Sequence, residues 1–207
     1  LSFGRVASIL GALEDLNRRW EGQPDAFVMQ TSVREKRNAF KGFVYRWTTA
    51  PQWVGLLDGW RLLQENGPVA ERIAASGTAD LRSALAPVVR DLVAGAAESP
   101  GYLVPDPAGP GACKRLAMWL RWMVRSDEID PGLWSEHLSP AGLWVPLDTH
   151  MFRIARRLRL TRRKTADAEA ARRITRAFGK LSPGDPLRYD FAITRLGMGL
   201  HETGLAG

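Results

Sequence analysis

Two residues stand where their types could act together: Lys114, which follows the stretch Gly109-Pro110-Gly111, and Asp148, just ahead of an amphipathic segment. A glycine-rich turn that delivers the chain into a helix can aim several backbone N–H groups at a phosphate. An amine and a carboxylate beside such a turn would stand next to a nucleic-acid backbone. Arg115, His150 and the arginines that follow Asp148 suit the same purpose as phosphate contacts. The three histidines are scattered and lack the close partners a metal site needs, so no metal is expected.

The charge distribution sharpens this reading. The formal net charge is +7, from 29 Lys and Arg against 22 Asp and Glu. Between Met151 and Lys180 lie eleven basic residues, Arg153, Arg156, Arg157, Arg162 and Arg163 among them, and two acids, Asp167 and Glu169, so that segment carries +9 and the remainder −2. A merely solvated helix face usually carries i,i+4 carboxylates, and most are missing here. The expected partner is a polyanion, nucleic acid ahead of an anionic membrane. No apolar run approaches the roughly 20 residues of a membrane helix, and no signal-peptide pattern opens the chain. One cysteine, Cys113, excludes an internal disulfide, a zinc finger and a cysteine-ligated iron–sulfur cluster. A reducing, cytoplasmic setting without a cofactor is expected.

The elements that must position these groups have helical period almost throughout. Val6, Ile9, Leu10 and Leu13 recur as i, i+3, i+4, i+7, and the apolar segment Trp53 to Leu63 runs until Asn66-Gly67-Pro68 stops it. Asp80 to Ala94 predicts another helix, which Pro87 must kink or divide. Prolines 100, 105, 107 and 110 among Gly101, Gly109 and Gly111 then interrupt the chain. Beyond them, Leu116, Trp119, Leu120 and Met123 predict a buried stripe. Asp148 stands where an N-cap belongs, before a helix with core face Met151, Ile154, Ala155 and Leu158. A further helix is expected over about 166–178, and Asp185-Pro186 predicts the start of the last, with Tyr189, Ala192, Ile193 and Leu196 on one face. No stretch alternates long enough to demand a sheet, so the expected fold class is all-α, with about eight to ten helices. The expected organisation is one globular helical unit over 1–207, a monomer. Within it, 1–97 form an N-terminal lobe, 98–114 a connection and hairpin-like turn, and 115–207 a C-terminal lobe carrying the basic segment 151–180.

The stretch from Val145 to Leu158, which contains Pro146-Leu147-Asp148-Thr149-His150, resembles the segment around the invariant aspartate of the helix-hairpin-helix DNA glycosylase superfamily. That group contains endonuclease III and the oxidised-guanine glycosylases. There a Gly-x-Gly hairpin precedes the aspartate, and the bifunctional members carry a nucleophilic lysine just after the hairpin, an order that Gly109-Pro110-Gly111 and Lys114 match. The usual pattern sets the lysine two residues after the second Gly, where this chain has Cys113. More closely, Gly42-Phe43-Val44-Tyr45-Arg46-Trp47, Leu120-Arg121-Trp122-Met123-Val124-Arg125, Asp130-Pro131-Gly132-Leu133-Trp134 and Tyr189-Asp190-Phe191-Ala192 resemble a largely uncharacterised prokaryotic family distantly linked to these glycosylases. Members of that family begin before Leu1, which implies further helices ahead of it.

The resemblance implies a two-lobed helical fold of glycosylase type, here without an iron–sulfur cluster. It also implies a base-excision repair glycosylase with abasic-site lyase activity through a lysine Schiff base, with oxidised purines as the expected lesion class. Its partner would be duplex DNA with one nucleotide flipped out, met on the nucleoid. Lys114 would displace the base and Asp148 would stabilise developing positive charge or assist proton transfer. Gly109 and Gly111 would approach the phosphates. Trp119 and Trp122 lie on different faces of one helix, so at most one lines a base pocket. The alternative is a non-catalytic helical DNA- or RNA-binding protein that retains the fold, binds in a salt-sensitive way and releases no base.

Overall fold

The computed structural model describes residues 5–195. In chain order its helices are α1 (Val6–Arg19), α2 (Pro24–Gln30), α3 (Val33–Ala39), α4 (Ala50–Glu65), α5 (Val69–Ala74), α6 (Leu81–Gly95), α7 (Lys114–Val124), α8 (Thr149–Arg157) and α9 (Ala168–Leu181). Short 3-10 turns occupy Gly101–Leu103 and Pro140–Gly142. A hairpin of β1 (Val44–Tyr45) and β2 (Thr48–Thr49) lies between α3 and α4, pairing Val44 with Thr49 and Tyr45 with Thr48. The protein is mainly helical with one small sheet. Strands of two residues are too short to leave a period-two pattern in a sequence.

The chain forms two compact units. One takes residues up to Val69 together with Val88–Val104, and the other takes Ala70–Pro87 together with the chain from Pro105 onward. Residues 70–87, grouped by sequence with an N-terminal lobe, belong to the second unit. The passage from one unit to the other falls at Pro87, inside α6. That proline neither ends nor divides the helix, although it withholds one backbone donor.

In the first unit Leu16, Val28, Phe40, Phe43, Tyr45, Trp53, Val54 and Leu57 form the core. Phe43 sets its edge against Trp53, with ring centroids 5.5 Å apart at 90°. The hairpin is tied in by Thr48, whose Oγ1 donates to the Tyr45 carbonyl at 2.8 Å and accepts from Trp53 Nε1 at 3.2 Å. Glycine lets α4 pack closely: a Cβ at Gly55 would lie 2.1 Å from the Glu98 carbonyl oxygen, and one at Gly59 would lie 2.4 Å from that of Leu92. The expected helix over the first residues is present, but its apolar stripe is only partly covered. Leu16 is buried while Val6, Leu10 and Leu13 are exposed.

In the second unit the buried face of α7 is Ala117, Leu120, Arg121 and Val124, rather than Leu116, Trp119, Leu120 and Met123. The helix is rotated by the burial of Arg121, whose charge is met by Asp130 and Asp190. On α8 the expected Met151, Ile154 and Ala155 are buried, but Leu158 lies beyond the last helical residue and is exposed. The helix expected over 166–178 is α9, capped by Asp167, whose side chain accepts from the Ala170 N–H. The last helical segment begins at 190, not after Asp185-Pro186, because 186–189 form turns. Asp190 is buried in it and Leu187 in the turns before it, Tyr189 and Ala192 are exposed, Ile193 is half-buried, and Leu196 lies outside the described residues.

Candidate active site

The Pro/Gly-rich stretch is shaped by its own carbonyls. Asp106 opens a turn in which its Oδ1 accepts the Ala108 N–H at 2.8 Å and its carbonyl accepts the Gly109 N–H at 3.1 Å. The tight turn therefore spans residues 106–109 and not Gly109-Pro110-Gly111, as an aspartate followed by proline favours. Arg82 of α6 holds this turn and the residues after it: its Nε donates to the Pro107 carbonyl at 2.8 Å, and its Nη2 to those of Gly109 and Gly111 at 3.1 and 2.7 Å. On other sides the Pro110 carbonyl accepts from the Ala168 N–H at 2.8 Å and that of Ala112 from Trp144 Nε1 at 3.2 Å. One guanidinium thus gathers the carbonyls of Pro107, Gly109 and Gly111 with charge-assisted bonds. The stretch is fixed up to the start of α7.

Neither Gly109 nor Gly111 has a left-handed φ, and a Cβ at Gly111 would meet nothing within 4 Å. The fold does not require glycine at 111. Gly111→Ala is therefore expected to leave stability unchanged or raise it by about 0.4–1 kcal/mol, as denaturant unfolding would measure. A loss above ~1 kcal/mol would give that glycine a structural role after all.

Lys114 is the first residue of α7, Asp148 caps α8, and the two meet with Nζ 3.3 Å from Oδ2. Asp148 divides its oxygens: Oδ1 accepts the Met151 N–H at 2.8 Å while Oδ2 faces the amine. Two helix N-termini converge on the pair, each bringing roughly half a positive charge and backbone N–H groups without intrahelical acceptors. Cys113 supplies no side-chain cap to α7. With side-chain exposures of 35% and 21% the Lys114–Asp148 pair is held yet open to solvent. An amine beside a carboxylate that a helix fixes can exchange a proton with it.

Cys113, one residue before Lys114, does not share this place. It is buried with left-handed φ of 51°, its thiol donates to the Asp106 carbonyl at 3.3 Å, and burial pushes the thiol pKa up. Arg115 follows Lys114 and is half-buried. His150 is half-buried as well, with an Nδ1 that is buried and without a hydrogen-bond partner among the described residues.

Arg153, Arg156, Arg157, Arg162 and Arg163 are exposed. The two acids of the basic segment are fully used: Asp167 pairs with Arg163, and Glu169 with Arg172 and Arg173. Arg163 beside it holds the Asp167 carboxyl well below the usual carboxylate range. No carboxylate among the described residues lies within 4 Å of Arg153, Arg156 or Arg162.

The two tryptophans proposed for a base pocket are differently placed. Trp119 is half-buried and meets Trp134 edge to face at 5.0 Å, and Trp122 is 39% exposed. The structure gives the motif residues Arg121, Arg125, Asp130 and Asp190 a different duty. Arg121 Nε donates to Asp130 Oδ2 at 2.9 Å and its Nη1 to both oxygens of Asp190 at 3.0 and 3.1 Å, while Arg125 bonds Asp130 and Asp185 at 3.0 and 3.1 Å. Burial pushes the Asp190 carboxyl up, and Arg121 pulls it back.

Sequence reasoning missed Arg82 and Trp144. Arg82 sits in the helix predicted over Asp80–Ala94 with nothing to mark its targets, which lie 25 to 31 residues onward. Among the described residues no group of three or more His, Cys, Asp or Glu could hold a metal ion, and no helix is long and apolar enough to cross a membrane.

The chain belongs to the family described as "Protein of unknown function (DUF2400)", which matches residues 1–199. No curated protein and no solved structure matches it.

Proposed function

We propose that the protein is a DNA base-excision glycosylase of helix-hairpin-helix type with abasic-site lyase activity, acting on oxidised purines in duplex DNA. The observation that carries this reading is the Lys114–Asp148 contact of 3.3 Å at two helix N-termini, followed along α8 by exposed arginines. In the proposed reaction the neutral Lys114 amine attacks C1′, the N-glycosidic bond breaks, and the base leaves with the bonding electrons. Asp148 takes a proton from the attached amine, and the sugar opens to a Schiff base. Loss of a C2′ proton then expels the 3′-phosphate.

Borohydride trapping on duplexes carrying oxidised or deaminated bases tests this directly. A covalent protein–DNA adduct is expected on at least one lesion, together with free base. If neither appears on any lesion, nor an adduct on an abasic site, the reading fails.

The exposed arginines provide a second measurement. Arg156→Ala with Arg157→Ala should lower the slope of log affinity against log salt by about 1 to 2, the share of two phosphate contacts. An unchanged slope would move DNA elsewhere on the surface.

A further inference from the structure

The second unit contains a cavity of about 740 Å³ beside the turn that Arg82 organises. Its volume falls in the range of clefts that take small ligands. Arg82, Arg172 and Arg176 line it against a single carboxylate, Asp80. Both oxygens of Asp80 are engaged already, one by the Arg82 backbone N–H at 3.2 Å and the other by the Ser83 hydroxyl at 2.6 Å. No carboxylate among the described residues lies within 4 Å of Arg82 or Arg176, so the lining has excess positive charge.

Arg82 adds an unexplained group. Three of its bonds go to loop carbonyls, but Nη1 is buried and has no hydrogen-bond partner among the described residues. Buried polar groups of this kind are rare without a cause, and a guanidinium has five donors to place. The rest of the lining is small and apolar apart from Ser83, Thr175 and the buried Trp144, over whose ring Arg82 stands at 5.8 Å. Arginines beside small apolar side chains suit an anionic group joined to a less polar one.

We propose that this cavity is a nucleotide-phosphate site, occupied by the phosphodiester of a nucleic-acid strand with its sugar against the small apolar side chains. Arg176 supplies the phosphate contact, and Arg82 supplies fixed charge while holding the turn. The choice of a strand as the source of the phosphate rests on the proposed action on DNA. A free nucleotide presents the same chemistry.

Titration calorimetry of the whole chain with inorganic phosphate, thymidine 5′-monophosphate and a single-stranded thymidine tetranucleotide separates the sources. The tetranucleotide should bind most tightly, and Arg176→Ala should weaken it about tenfold, the worth of one charge-assisted contact. Ala108→Trp, on an exposed loop position that lines the cavity, should block binding by bulk with the arginines left in place. Equal affinity for the mononucleotide, lost likewise with Arg176→Ala, supports the phosphate site and assigns it to a free nucleotide. Affinities unchanged in both variants, or no heat with any probe at millimolar concentration, overturn it. These titrations need neither lesion nor turnover. A trapped adduct with silent titrations therefore sinks this site alone, and the reverse result sinks only the glycosylase chemistry.

Discussion

Lys114→Ala is expected to abolish the borohydride-trapped adduct, slowing its formation by at least about 10³-fold, because no other amine among the described residues is held against Asp148. Asp148 needs two variants, since it both caps α8 and faces the amine. Asn is as good a cap as Asp, so Asp148→Asn should keep the unfolding free energy within about 0.5 kcal/mol while it removes the charge and most of the activity. Asp148→Ala should lose about 1 kcal/mol of stability in addition. The comparison separates the helix from the chemistry. Full activity in Asp148→Asn would reduce Asp148 to a capping residue, and adduct formed by Lys114→Ala would point to another nucleophile.

Arg121→Ala should cost the second unit about 3–5 kcal/mol, a large share of the roughly 5–15 kcal/mol that holds a folded domain together. The reason is what stays behind. Asp130 and Asp190 are 1% and 3% exposed, and without Arg121 the latter loses both of its guanidinium bonds. A buried carboxylate without a partner is far more costly than a pair that was never made. Replacing Asp190 by Asn in the Arg121→Met background should recover part of the loss, because it removes an isolated charge. Urea unfolding monitored by circular dichroism would measure both, and a loss below ~1 kcal/mol for Arg121→Ala would mean that water reaches these carboxylates.

Much of the fold was legible in the sequence. The helical periods of α4 and α8 and the caps at Asp148 and Asp167 announce themselves within a few residues, because capping and amphipathicity are local matters. The α7 stripe was not legible, since it turns on Arg121 being buried, and a lone arginine at that spacing reads as a surface residue until Asp130 and Asp190 are brought to it. The start of the last helical segment was missed for a similar reason. Asp185-Pro186 has the chemistry of a helix entry, yet the Leu187 N–H takes Asp185 Oδ1 at 3.0 Å in a turn instead.

The candidate site divides along the same line. Lys114 and Asp148 could be named because each sits beside a local signal, a glycine-rich stretch in one case and an amphipathic helix in the other. Their contact is tertiary. Arg82 and Trp144 carry no such signal. The turn also lay a step from its expected place, because Asp106-Pro107 outweighs the two glycines in setting it.

The ion network has a consequence for how chains of this kind diverge. Arg121 answers to two carboxylates, one of which answers in turn to Arg125, so loss of Arg121 alone leaves Asp190 in the interior without its guanidinium bonds. Descent would have to alter several positions nearly together to leave that state. Lys114, by contrast, has one carboxylate partner among the described residues and a side chain partly in solvent, and it can be exchanged at small cost to the fold. A change at Arg121 therefore calls for compensating changes inside the protein, while Lys114 is free to be lost, kept or reassigned beneath an unchanged fold.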